Sequence, residues 1–160
     1  MVDVVNDLSF YKDLNEPAIS TSLKFQLQSG ATAPTRSHDG DLGYDLYANE
    51  TISIEAGDHV NVSTGVAFQF PSGWGGFVKD RSSMAMNTTV EVIAGVIDNG
   101  YTGECSVVFA NYGPERILIK QGDKIAQMVM IPLANFPLEE VENITSPDGR
   151  GSNGFGSTGK

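Results

Sequence analysis

The chain has 160 residues, 40% hydrophobic and 19% charged, a balance that suits one soluble globular domain with a sizeable core and excludes general disorder. Its net charge of −10 argues against a nucleic-acid binder, which needs clustered Lys and Arg, but leaves room for a single nucleotide held by a few cations. No apolar run approaches the ~20 residues that span a bilayer, and with Cys105 as the only cysteine no internal disulfide can form, which points to a reducing cytoplasm.

Residues 1–20 read as an N-terminal extension. Met1 to Phe10 carries Asp3 and Asp7 and no cation, so it does not read as a signal peptide, and Leu8, Phe10, Tyr11 and Leu14 fit one amphipathic turn. Residues 21–146 are built from short period-two apolar runs. Leu23, Phe25 and Leu27 alternate, as do Val60 and Val62, then Val66, Phe68 and Phe70 beyond Thr64-Gly65, then Ile117 and Ile119; Met128 to Ile131 is nearly continuous. Such alternation lays one face of a strand on a core. Turn-formers separate the runs: Ser29-Gly30, Asp39-Gly40, Ala56-Gly57-Asp58, Pro71-Ser72-Gly73 and Gln121-Gly122-Asp123. Many short strands with frequent turns predict an all-β sandwich or barrel. One short helix is predicted over Ser82 to Asn87, begun by capping serines. From Pro147 to Lys160 the composition turns to Gly, Ser, Asn and Asp around a single aromatic, Phe155, and reads as a flexible C-terminal arm.

No P-loop, zinc cluster or nucleophile elbow is present, and His38 and His59 have no acidic orienter fixed nearby in sequence. Five segments nevertheless concentrate chemistry. Gly43-Tyr44-Asp45-Leu46 offers a carboxylate. Arg81-Ser82-Ser83 places a guanidinium, hydroxyls and amides at a helix start, which reads alone as an anion site or as an ordinary capped surface turn. Gly95-Val96-Ile97-Asp98-Asn99-Gly100-Tyr101-Thr102-Gly103 carries a strong hairpin signal with Asp98 at its bend. Gly122-Asp123-Lys124-Ile125-Ala126-Gln127 reads as a structural turn leading to a polar amide at the start of an apolar strand. Arg150-Gly151-Ser152-Asn153-Gly154-Phe155-Gly156-Ser157-Thr158-Gly159 sets one cation, one ring and hydroxyls among glycines, the makings of either a linker or a phosphate lid.

In order and spacing these segments resemble the five motifs of the homotrimeric dUTP diphosphatases (dUTPases), across residues 23 to 160. The resemblance implies a jelly-roll-like subunit with a swapped C-terminal arm, a homotrimer with three shared active sites, and hydrolysis of dUTP to dUMP and pyrophosphate. It further implies that Asp98 activates the attacking water. Gly95, Val96, Ile97 and Asp98 belong to the hairpin that reads uracil, and Tyr101 packs under the deoxyribose. Arg81, Ser82, Ser83 and Gln127 serve the phosphates. Asp45 touches, through water, a Mg²⁺ held mainly by the substrate. Arg150, Gly156, Ser157 and Thr158 hold the γ-phosphate while Phe155 covers the base. Ser83 and Asn153 stand where the family usually has glycine; Ser83 either crowds the phosphates or adds a donor, and Asn tolerates left-handed backbone angles.

Two rival readings share this fold. dCTP deaminases share a similar third motif but carry a catalytic glutamate at the position of Val108, which cannot act as acid or base. A protein-binding regulator on the same fold would have the N-terminal extension as its candidate element, and no long insertion between motifs offers another.

Overall fold

The computed structural model describes residues 22–147 and 151–152. The N-terminal extension and, in the arm, Arg150, Asn153, Phe155, Gly156, Ser157 and Thr158 lie outside the described residues. Eleven strands and one helix follow in chain order: β1 Lys24–Leu27, β2 Gly43–Tyr47, β3 Ile52–Ile54, β4 His59–Val62, β5 Val66–Gln69, β6 Trp74–Asp80, α1 Ser82–Asn87, β7 Val90–Val92, β8 Val96–Ile97, β9 Val107–Asn111, β10 Ile117–Ile119 and β11 Lys124–Pro132. The strands pair antiparallel in four open sheets, β1-β5, β3-β10, β2-β11-β6-β8 and β4-β9-β7. The fold is all-β and jelly-roll-like, and its sheets do not close into a barrel.

All five sequence turns are present, and four reverse through a glycine at positive φ: Gly30, Gly57, Gly73 and Gly122. The alternating runs meet in one core that includes Leu46, Ile54, Val62, Val66, Phe68, Val78, Phe109, Ile119, Ile125 and Met128. The near-continuous run 128–131 sits in β11, which is hydrogen-bonded on both edges, to β2 and β6.

Two local expectations are corrected. The alternation of β1 was read as a core face, yet Phe25 is 49% and Leu27 40% exposed. Among the described residues the strand pairs only with β5, which leaves these side chains open. The helix spans the predicted residues, but Arg81 is its N-cap and makes no side-chain capping bond. Ser82 and Ser83 therefore lie inside the first turn, where helical amides have no intrahelical acceptor.

Candidate active site

Strands β2, β6 and β11 lie side by side, and three of the five segments converge where β6 runs into α1. Gln127 on β11 stands opposite Asp45 on β2 and opposite Lys79 on β6. Directly opposed residues share a face, so Gln127 and Asp45 point the same way. They line a polar cavity of about 220 Å³ with Ser37, Asp41, Leu42, Gly43, Arg81 and Ser82. The Gln127 amide donates to the Asp80 carbonyl at 2.9 Å. A Cβ on Gly43 would crowd the Gln127 side chain, so glycine leaves room for this amide beside β2.

Asp45 is held by two cations. Arg81 Nε donates to Oδ1 at 2.8 Å, and Lys124 Nζ reaches Oδ2 at 2.8 Å. The carboxylate is 15% exposed, and its hydrogen bond holds the Lys124 ammonium above its ordinary pKa. Arg81 also donates from Nη1 to Ser83 Oγ at 3.2 Å. The serine that replaces the usual glycine thus supplies an acceptor that steadies the guanidinium. Asp80 fixes the base of Arg81, its carboxylate accepting the Val92 amide at 2.8 Å. The wall formed by Ser37 to Leu42 is closed locally, because Asp41 accepts the amides of Ser37 and His38 at 3.1 and 2.9 Å.

Gly95 to Tyr101 lies elsewhere. Strand β8 pairs with β6 through Gly76 opposite Ile97 and Phe77 opposite Val96. Gly95 makes that approach feasible, with φ of 147° and Val78 O only 2.4 Å from where a Cβ would stand. A turn follows, closed by Tyr101 N–H donating to Asp98 O at 3.0 Å. The sequence predicted a hairpin here. The turn forms, but the returning chain does not ladder with β8, because Glu104 bridges Ala67 on β5 instead. Asn99 anchors the turn, its Nδ2 donating to Pro71 O at 2.8 Å and Trp74 O at 2.7 Å. Tyr101 is 47% exposed; its hydroxyl donates to Glu104 O at 3.1 Å, and its ring lies against Gly103.

Asp45, Arg81, Ser82 and Gln127 are therefore brought together, with Ser83 behind Arg81. Asp98 and Tyr101 do not line that cavity. Lys124, Asp80 and Asn99 have evident structural parts that the sequence reading missed. Among the described residues no group of three His, Cys, Asp or Glu could hold a metal ion. Asp45, already flanked by two cations, and Asp41, occupied by two backbone amides, do not make a protein-built metal cage. Asp45 does fit an ion carried by substrate phosphates and touched through water. No helix among the described residues is long and apolar enough to cross a membrane.

The dUTPase family profile matches residues 29–159, which takes in all five segments. The deoxyuridine 5'-triphosphate nucleotidohydrolase of Rattus norvegicus is 42% identical over 140 residues, spanning 87% of this chain and 68% of the rat protein. That of Saccharomyces cerevisiae is 38% identical over 138 residues, spanning 86% and 94%. Among solved structures, the dUTPase of Staphylococcus bacteriophage 80alpha with dUpNHpp aligns with a TM-score of 0.79 at 29% identity, covering 88% of this chain and 100% of the phage chain. A variant dUTPase of phage phi11 of S. aureus, described for its coordination of a structural Mg(II) ion, gives 0.73 at 27% identity, covering 78% and 99%. With about 40% identity to curated relatives over most of its length, the chain belongs to the dUTPase family.

Proposed function

We infer that the chain hydrolyses dUTP to dUMP and pyrophosphate, keeping uracil out of DNA and supplying dUMP. The observation that carries this reading is the cavity at the end of β6, where the Arg81 guanidinium, the Ser37 and Ser82 hydroxyls and the Gln127 amide gather beside two carboxylates, Asp45, which is paired with Arg81 and Lys124, and Asp41, which accepts the Ser37 and His38 amides. That donor set suits a polyphosphate, and family membership supplies the nucleotide.

In the mechanism we propose, Arg81, Ser82 and Gln127 hold the phosphate chain. Asp45, oriented by its two cations, would hold a Mg²⁺ ion through water, and such an ion would supply positive charge to the substrate phosphates. The turn at Asp98 and the Gly95–Ile97 backbone receive uracil, and the Tyr101 ring fills the space a 2′-hydroxyl would need. Asp98 takes a proton from water as its oxygen bonds to the α-phosphorus. The α–β bridging bond breaks and pyrophosphate leaves. Positioning and fixed charge dominate, as in other phosphoryl transfers. Residues 147–160 close over the nucleotide, with Phe155 on the base and Arg150, Gly156, Ser157 and Thr158 on the γ-phosphate. We take residues 1–20 as an appended extension and 21–146 as the catalytic domain.

The proposed assembly is a homotrimer. The separation along β6 supports it, because Asp98 follows the residue opposite Gly76 while Arg81 lies beyond the far end of the strand. Every position this chemistry needs is filled, so no separate protein-binding role is required. The test is release of pyrophosphate by the purified protein with Mg²⁺. Release is expected from dUTP and not from dCTP, dTTP or UTP. Equal turnover of all four would overturn the assignment.

A further inference from the structure

We propose that Lys124 is a positioning residue of the phosphate site, delivered there by a β-bulge. It acts through Asp45 and Arg81 without touching the nucleotide.

Pairing of β11 with β2 is regular from Val129 to Ala126 and then shifts, so that Ala126 faces Leu46 while Lys124 faces Tyr47. Two residues of β11, Ile125 and Ala126, thus oppose Leu46, the signature of a bulge. Burial follows the same break: Ile125 and Ala126 are both 0% exposed, whereas Lys124 and Gln127 on either side are only half-buried. In an unbroken strand residues three apart point to opposite faces. The extra residue restores Lys124 to the face of Gln127 and Asp45. There its Nζ lies 2.8 Å from Asp45 Oδ2 and 5.7 Å from the centre of the Tyr47 ring, which is itself tethered through its hydroxyl to Thr35 Oγ1 at 2.6 Å.

Lys124 does not line the cavity. Its effect passes through Asp45. With Oδ2 engaged by Lys124, Oδ1 is presented to Arg81 Nε, and the Lys124 carbonyl lies 3.5 Å from Arg81 Nη1. With Ser83 Oγ as a third acceptor, the guanidinium is held by three atoms of its neighbours beside the cavity before any anion arrives. Without the ammonium, one guanidinium would have to neutralise Asp45 and bind phosphate at once. Groups that orient a ligating carboxylate are worth about 10–100-fold when removed.

The inference rests on the cavity being the phosphate site. Dissociation constants for dUpNHpp with Mg²⁺ and for dUMP are to be measured in the native protein, Lys124→Met, Lys124→Arg and Arg81→Ala, with a melting curve of each. Lys124→Met is expected to weaken dUpNHpp about tenfold and dUMP less than about twofold, since dUMP lacks the phosphates that Arg81 is held to meet. Lys124→Arg should recover most of the loss. Native dUpNHpp affinity in Lys124→Met beside a weakened Arg81→Ala overturns the proposal alone. Equal weakening of both ligands shows Lys124 to be merely structural. Undiminished dUpNHpp binding in Arg81→Ala overturns the phosphate reading itself. Should Lys124→Met fail to fold, Lys124→Gln carries the same comparison.

Discussion

Individual side chains divide by whether their neighbours in sequence or in space give them their part. Asp98 sits exposed at a tight turn, a carboxylate with no ion pair among the described residues, free to meet water from outside the chain. Asp98→Asn should keep dUpNHpp affinity and lose about 10²–10⁴-fold in kcat, the usual worth of a general base. Wild-type turnover in that variant would sink the role. Tyr101 is aimed by Glu104 O and Gly103, so Tyr101→Ala should narrow the ratio of kcat/KM for dUTP over UTP. Gly103→Ala should do the same by displacing the ring, since its Cβ would fall 2.5 Å from the tyrosine hydroxyl. Cys105 shows the opposite case, a group silenced by its surroundings. Burial, and then the neighbouring Glu104 charge, push its thiol up to about 12. Iodoacetamide at pH 8 should leave it unmodified in the folded protein and alkylate it in urea, because the thiolate is the nucleophile. Arg81, Asp45 and Gln127 were legible because their motifs name them. Lys124 and Asn99 were not, because what they touch lies 79 and 28 residues away, as the pairs Asp45–Lys124 and Pro71–Asn99 record.

Elements were legible where a local rule decides them and illegible where a partner does. Turn glycines at positive φ announce themselves in sequence, and every predicted strand run bears a strand. The Ile125 bulge was hidden, since a register shift exists only between two strands and the partner β2 lies far away in sequence. The failure of Asp98 to head a laddered hairpin has a similar cause. The chain after the turn is captured by Glu104, whose carboxylate accepts Gln28 Nε2 at 3.2 Å, Ser63 Oγ at 2.6 Å and Gly65 N–H at 2.9 Å. Burial opposes this charge, yet the hydrogen bonds prevail and hold the Glu104 carboxyl below its ordinary 4.5. A depressed folded-state pKa stabilises above the unfolded value, and that contribution disappears as pH falls through the folded one. Native protein should therefore melt above Glu104→Gln at pH 7, with the gap shrinking as pH drops below about 4.5. A gap unchanged at pH 3 would show that Glu104 acts by shape alone. At the other end of the chain, truncation after Pro147 should leave a folded protein with weak activity on dUTP, read as kcat/KM beside an unchanged melting temperature.

At the scale of the molecule, the roles proposed for Asp98 and Arg81 place the two catalytic halves apart within one chain. Asp98 falls beside Gly75 by continuation of the β6–β8 register, and Arg81 is six residues further, roughly 20 Å at the rise of a strand. A water activated at one end cannot attack a phosphate bound at the other, for reacting atoms must lie about 3–3.5 Å apart. The chain also leaves Phe25, Leu27, Val96, Ile131 and Leu133 exposed, apolar surface that subunit contact would cover. A head-to-tail ring satisfies both facts, each subunit offering its Asp98 turn to the Arg81 cavity of the next. Mixing distinguishes this ring from self-contained subunits. Asp98→Asn and Arg81→Ala should each be nearly inactive alone. Co-refolded in equal amounts, a site works when its turn comes from an Arg81→Ala chain and its cavity from an Asp98→Asn chain, so random assembly restores about a quarter of native activity. Self-contained sites would restore none, since every chain would carry one lesion in its own site. The restored fraction should also depend on composition, peaking at equal amounts and falling to either side as the product of the two mole fractions.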